Sequence, residues 1–399
     1  MKFWAIKPEA IKPRAMKLPI AWLQLRRERT RLLVAIFGIS FAVVLMFMQL
    51  GFRSALFESA VGMHSSLQGE IVLISPRSVA LIAMKPFTER RLYQALNVEG
   101  VAAVSPIYVE PAIWNNPADP SKTRNIRIYG IRPTDQVLDL PGVQENLAQL
   151  AQPDVVLFDQ GSRQEFGPVV NLFEQQHAVT TEVEVRQVTV VGLFKLGVTF
   201  GSDGTLITSD LNFLRIFAER RPAGLIDIGL IKLQPGIDPA AVLATLRSTL
   251  PPDVRILSKQ EYREFEINYW NSSTPIGFTF TLGVIMGFLV GTIIVYQVLY
   301  TEVADHLAEY ATLKAMGYDD GYFLGVVFQS AAILASLGFV PGIAIAWSAY
   351  ALTRSATLLP LFMRADRSLF VLTLTLAMCC LSGAIAIRKL READPADVF

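Results

Sequence analysis

The chain has 399 residues, 52% of them hydrophobic, and a formal net charge of +1. That balance gives no reason to expect a nucleic-acid partner. Its only cysteines, Cys379 and Cys380, are adjacent in an apolar stretch and read as packing residues, so disulfides do not hold any polar segment together.

In chain order, residues 1–31 come first, with nine Lys and Arg against two acids. "AIKP" occurs at 5–8 and again at 10–13, and this much Pro rules out a continuous helix, leaving a flexible basic tail suited to an anionic leaflet. From Pro19 onward "IAWLQLRRERTR" mixes Trp22, Leu23 and Leu25 with basic residues, the pattern of an interfacial helix. Four windows then carry no charge at all: 32–52, 276–300, 323–350 and 368–387. Each reaches the roughly 20 residues a helix needs to cross a bilayer, and a backbone in lipid must satisfy its own hydrogen bonds. The first window is longer than the apolar core of a signal peptide and reads as an uncleaved anchor. The Lys and Arg excess at the N-terminus, together with Arg388, Lys389 and Arg391 near the other end, predicts both termini to be cytoplasmic. Arg354, Arg364 and Arg367, in the 351–367 loop, would then lie outside.

Residues 53–275 form a polar insert with 20 basic and 24 acidic side chains, long enough to bury its own core. "GEIVLISP" (69–76) and "AAVSPIYVEPAIW" (102–114) read as strands, with "FTERRLYQALN" (87–97) helical between them. "IDIGLIKLQPG" (226–236), "DPAAVLATLRSTL" (238–250) and "DVRILSKQEY" (253–262) read as strand, helix and strand, the helix opened by Asp238 and Pro239. Between these units, "NIRIYGIRP", "VVLFDQGSRQEFG" and "EVEVRQVTVVGLFKLG" alternate as β-structure. The fold expected is an α-helical membrane protein with four transmembrane helices and a large α+β extracytoplasmic domain, two α+β halves flanking a β-rich insert. The ends of the insert, 53–68 and 260–275, can run as stalk helices continuous with the spans or as ordinary linkers.

The second window places Gly283, Gly287 and Gly291 four apart on one helix face, and Gly338 and Gly342 repeat the spacing in the third. Such faces admit close backbone approach, within the chain or in a dimer. Gln297 and Gln329 are the most polar side chains inside the windows, each explained by a helix–helix hydrogen bond, and no ionisable residue marks an ion path. Residues 301–322 connect the second and third windows. On a helix from about 302 to 316, Leu307, Tyr310, Leu313 and Met316 form an apolar stripe widened by Ala311 and Ala315, with Glu302, Asp305 and Glu309 on the other side and Gly317 as the stop. An acidic polar face suits a protein partner better than an anionic membrane.

Catalytic signatures do not emerge. No Lys follows a Gly, so there is no GK[ST] phosphate loop. His64, His177 and His306 fall in no metal spacing, no GxSxG elbow occurs, and "GSDG" (201–204) lacks a calcium ladder. Asp159 and Glu165 read as solvated or locally bonded carboxylates rather than a catalytic pair. No cofactor or metal of the chain's own is expected.

"EYATLKAMGY", Glu309 to Tyr318, following the second of four spans, resembles the coupling segment of the MacB/FtsX-type ABC transporter permeases. The order of one span, a large outer domain and three spans is similar too, as is the "DPA" near the C-terminus (Asp394, Pro395, Ala396). Within the family the chain most resembles DevC, a permease whose ATPase is a separate chain. The resemblance implies Porter-like halves flanking a Sabre-like insert, an inner-membrane location with residues 53–275 periplasmic, and a homodimer paired with ABC ATPase subunits that bind the ATP. It implies ATPase coupling through Leu307, Glu309, Tyr310, Leu313, Lys314, Met316 and Gly317. It further implies a tripartite pump with a periplasmic adaptor and a TolC-like outer-membrane duct, exporting an amphiphile such as a glycolipid. Rival expectations are an FtsX-like regulator of a cell-wall hydrolase, a LolC-like lipid extractor and a tethered scaffold; a docking helix argues against the scaffold.

Overall fold

The computed structural model of the chain describes residues 28–306, 308, 309, 312, 316 and 320–387. It divides into two compact units. The first comprises the described residues up to Leu50, Leu282–Ala349 and those from Met363 onward; the second comprises Gly51–Thr281 and Tyr350–Phe362.

Helix α1, Arg29–Ala60, runs eight residues beyond the charge-free window, and a short α2, Gly62–Ser66, follows. Strand β1 (Ile71–Ile74) is buried along its whole length. Ile71 and Leu73 face one core and Val72 and Ile74 the other, which is why "IVLI" is continuously apolar. After β2 (Phe87–Thr88) and α3 (Arg90–Ala95) come two long strands, β3 (Val101–Asn116) and β4 (Asp119–Ile131). Then follow β5 (Val155–Asp159), α4 (Val169–Gln176), β6 (Val179–Val183), β7 (Arg186–Phe194), β8 (Thr205–Ser209) and α5 (Asp210–Ile216). The chain returns through β9 (Leu225–Ile226), β10 (Ile228–Leu233), α6 (Pro239–Thr249) and β11 (Arg255–Ser258).

Nine strands form one sheet in the order β11-β1-β10-β3-β4-β8-β5-β7-β6, and β6 pairs back onto β3 at Val183 and Trp114. The second part of the order is therefore a closed ring of six strands, from β3 round to β3 again. The β-rich insert is present but is not a separate sheet. Residues 101–107 of β3 pair with β10, and residues 107–116 pair with β4. At about 3.3 Å per residue, a 16-residue strand is long enough to serve both halves. Trp114 is buried in the ring, its indole N–H donating 3.0 Å to the Phe166 carbonyl.

Strand β11 ends sooner than the alternation predicts. Ser258 caps α7 (Lys259–Asn268) in a capping box: its hydroxyl accepts from the Glu261 N–H, and the Glu261 carboxylate accepts from the Ser258 N–H. A π-helical turn, Tyr269–Ser273, follows. Thr274 is extended, as the residue before a Pro must be, and Pro275 opens α8, Pro275–Asp305. The second stalk is thus interrupted at Thr274, whereas α1 passes unbroken to Ala60. Leu56, Ala60 and Trp270 share a small core, and the Phe52 and Phe280 rings stack 6.1 Å apart. Helices α9 (Asp320–Thr357) and α10 (Ala365–Ala386) follow. The four helices α1, α8, α9 and α10 are long and apolar enough to cross a membrane.

Candidate functional site: the helix-end latch and the glycine seam

Helix α8 ends where the predicted coupling segment begins. Asp305, in its last turn, pairs with Arg31 of α1 at 2.9 Å, and Arg31 also pairs with Glu28 one turn earlier. Glu302, one turn back in α8, is buried, so it does not join Asp305 and Glu309 on an outward acidic face. The His306 N–H donates to the Glu302 carbonyl at 3.2 Å. Arg31 lies twenty residues before Gly51, about 30 Å along a single helix at 1.5 Å per residue. Sequence reasoning missed this latch because its two halves are more than 270 positions apart and were read separately, Arg31 in the basic lead-in to the first span and Asp305 on the acidic face of the coupling helix.

Ala308, Glu309 and Thr312 are helical, and the Met316 N–H donates to the Thr312 carbonyl at 3.1 Å. Glu309 and Met316 are exposed, Met316 to 64%. Leu307, Tyr310, Ala311, Leu313, Lys314, Ala315 and Gly317 lie outside the described residues, as do the basic tail at 1–27 and the Asp394, Pro395 and Ala396 ending.

The five glycines that the spacing singled out all sit at packing contacts inside the first unit. A Cβ on Gly338 would collide with Ile39 of α1, and one on Gly342 would stand 2.7 Å from Val43. In α8, a Cβ on Gly283 would collide with the Gln49 side chain, one on Gly287 would stand 3.2 Å from Met46, and one on Gly291 would stand 2.5 and 2.9 Å from Met378 and Ala42. The two glycine faces therefore receive α1 from either side, and Gly291 also receives α10. Hydroxyls add bonds at the same seams: Ser40 donates to the Gly338 carbonyl at 2.9 Å and Ser382 to the Thr292 carbonyl at 2.7 Å. The Ser40 bond falls beside the Leu337 carbonyl, which Pro341 leaves without its helical donor. Gln297 and Gln329 are exposed and form no hydrogen bond between helices among the described residues, contrary to expectation.

In the second unit a buried polar cluster joins the stalk ends to the sheet. Glu266 of α7 accepts the Leu81 N–H at 2.7 Å through one oxygen and the Trp270 indole N–H at 2.9 Å through the other. Arg127 of β4 donates to the carbonyls of Leu81 and Gly201 at 3.1 and 2.7 Å. His64 of α2 lies 3.6 Å from the Glu266 carboxylate, with its ring 4.3 Å from that of Tyr262. Burial raises the Glu266 carboxyl above its usual range, and burial first, then the Arg263 charge, holds His64 down to about 3. The i, i+4 spacing of Glu266 and Trp270 was a readable signal; their partners at 64, 81, 127 and 201 were not. Asp159 and Glu165 do not meet as a pair. Asp159 is buried, accepting N–H groups from Gly161, Leu196 and Gly197, while Glu165 is exposed near Arg124 at 3.5 Å.

Comparison with family models matches residues 32–249 to the MacB-like periplasmic core domain and residues 280–395 to the FtsX-like permease C-terminal domain. The chain belongs to the MacB/FtsX-type permease family. It is a membrane protein with an extracytoplasmic domain and a transmembrane subunit of an ABC-type system, and permeases of this family work with an ATPase subunit. Among solved structures, the chain is similar to the periplasmic region of MacB from Actinobacillus actinomycetemcomitans at 12% identity and a TM-score of 0.34, covering 51% of this permease and 93% of that structure. It is also similar to the extracellular domain of the noncanonic ABC-type transporter YknZ from Gram-positive bacteria at 12% identity and a TM-score of 0.33, covering 48% and 100%. No curated protein matches this permease significantly.

Proposed function

We propose that this permease serves an export system of the DevC kind, with its ATPase on a separate chain. Two permeases pair with two ATPase chains, whose closure on ATP pushes the segment at 302–317. The Arg31–Asp305 latch is the observation that supports this reading. It joins the end of α8, where the push arrives, to the first turn of α1, a helix that runs unbroken from Arg29 to Ala60. A stiff helix carries displacement without needing a polar channel, in keeping with charge-free spans. In a tripartite pump the extracytoplasmic domain then drives an amphiphile, such as a glycolipid, through a periplasmic adaptor into a TolC-like duct.

The test replaces Leu313 or Met316 with Asp in proteoliposomes holding permease and ATPase. Loss of permease-stimulated ATP hydrolysis to the basal rate, with insertion unchanged, is expected. Full stimulation in both variants would overturn the coupling role of this segment.

A further inference from the structure

A groove of about 720 Å³ opens between the first residues of α1 and residues 294–301 of α8. Its volume falls within the range of small-molecule sites, about 300–1,000 Å³. Its lining is ordered along the helix axes. Arg29, Thr30 and, one turn further along, Val34 line it from α1; Thr301, Gln297 and Ile294, about one turn apart from each other, line it from α8. Arg29 to Val34 is five residues, about 7.5 Å of helix, and Thr301 to Ile294 is seven, about 10.5 Å.

Charge within the groove is unevenly committed. Arg31 pairs with Glu28 and Asp305, so both of those acids already have a counter-charge. Arg29 is exposed and has no ion pair among the described residues. Outside the groove, Leu33 and Phe37 of α1 are 66% and 76% exposed, as expected of a lipid-facing helix flank.

We infer that this groove binds one anionic phospholipid, its phosphate on Arg29, its head group against Thr30, Gln297 and Thr301, and the upper part of one acyl chain over Val34 and Ile294. A guanidinium at the membrane interface, beside the Thr30 hydroxyl and the Gln297 amide and about one turn from the apolar Val34 and Ile294, suits a phosphodiester attached to a hydrocarbon chain; the Thr301 hydroxyl already donates to the Gln297 carbonyl at 2.8 Å. A soluble anion would gain nothing from those apolar side chains.

The test is native mass spectrometry of the full chain in mild detergent, titrated separately with palmitoyl-oleoyl phosphatidylglycerol and phosphatidylcholine. Wild type is expected to retain one phosphatidylglycerol per chain with roughly tenfold preference, the ratio that 1.4 kcal/mol provides. Arg29→Gln should lose the preference, Thr301→Trp should lose retention by filling the groove, and Leu33→Ala should match wild type. Equal retention of both lipids by wild type, or a preference surviving in Arg29→Gln, would overturn the assignment. So would unchanged retention in Thr301→Trp accompanied by loss of a dimer, which would mean that a second copy covers the groove. No ATPase enters this assay, so its failure leaves the coupling proposal untouched, and the converse holds.

Discussion

Buried polar groups are handled differently in the two units of this permease. In the extracytoplasmic unit they include full charges: Arg221 and Asp227 pair at 2.5 Å, both almost wholly buried, with the guanidinium over the rings of Tyr108 and Phe213. Between the ends of the membrane helices, Ser40 and Ser382 donate to carbonyls of neighbouring helices, and glycines admit close approach. The surroundings explain the contrast. A domain in water gains free energy from burying apolar surface and can carry desolvated charges if each is answered. Helices in lipid gain nothing from hiding Leu against Leu, so shape and short polar bonds hold them.

The comparison is broken most severely by leaving one buried charge unanswered. Asp227→Ala strands Arg221 and also removes the acceptor of the Val109 N–H, at 2.7 Å. A loss of about 3–5 kcal/mol is expected in denaturant unfolding of the full chain. The double replacement Arg221→Met with Asp227→Leu should recover much of it, because a matched apolar pair carries no stranded charge. A double variant no more stable than the single one would refute that account.

In the membrane unit the corresponding break is steric. Gly338→Leu forces a side chain onto Ile39, whose own Cβ is 2.5 Å from the built position, whereas Gly325 has open space around it. Overpacking costs about 1–3 kcal/mol. Gly338→Leu should sharply reduce the monodisperse yield in detergent, and Gly325→Leu should leave it unchanged. Equal yields would remove the glycine seam from the explanation.

Legibility in the sequence followed the same division. A membrane helix is written locally, as twenty apolar residues without charge, and α1, α8, α9 and α10 lie where those windows are. The glycine faces were equally local, although spacing alone could not choose between a partner helix of the same chain and one of a second copy. The extracytoplasmic strands were legible one by one, but their assembly was not. Nothing in "AAVSPIYVEPAIW" states that β3 changes neighbours at Ile107, or that Trp114 meets Val183 to close a ring. The latch and the Glu266 cluster were hidden for the same reason. A charge in a polar segment looks solvated until the fold brings its partner. Of the coupling stripe, Met316 is exposed, and the other positions lie outside the described residues.

The smallest expected effect tests whether the extracytoplasmic unit needs every polar group it buries. Neither nitrogen of His64 has a hydrogen-bond partner among the described residues, so the imidazole is a buried group with little return. Its folded value is about 3 against an ordinary 6.5, so the unfolded chain binds the proton more readily between those limits. Stability contributed by the neutral ring is then fully present above pH 6.5 and is lost as pH falls toward 3. Asp227 has the opposite sign, since burial raises it from 3.8 to about 6, and the folded state loses stability as pH rises through that window. Comparing His64→Leu with wild type cancels the Asp227 contribution. The variant should unfold at nearly the same temperature as wild type at pH 7, and it should hold that temperature better at pH 5. Parallel pH profiles for the two proteins would show that acid reaches the fold by a route other than His64.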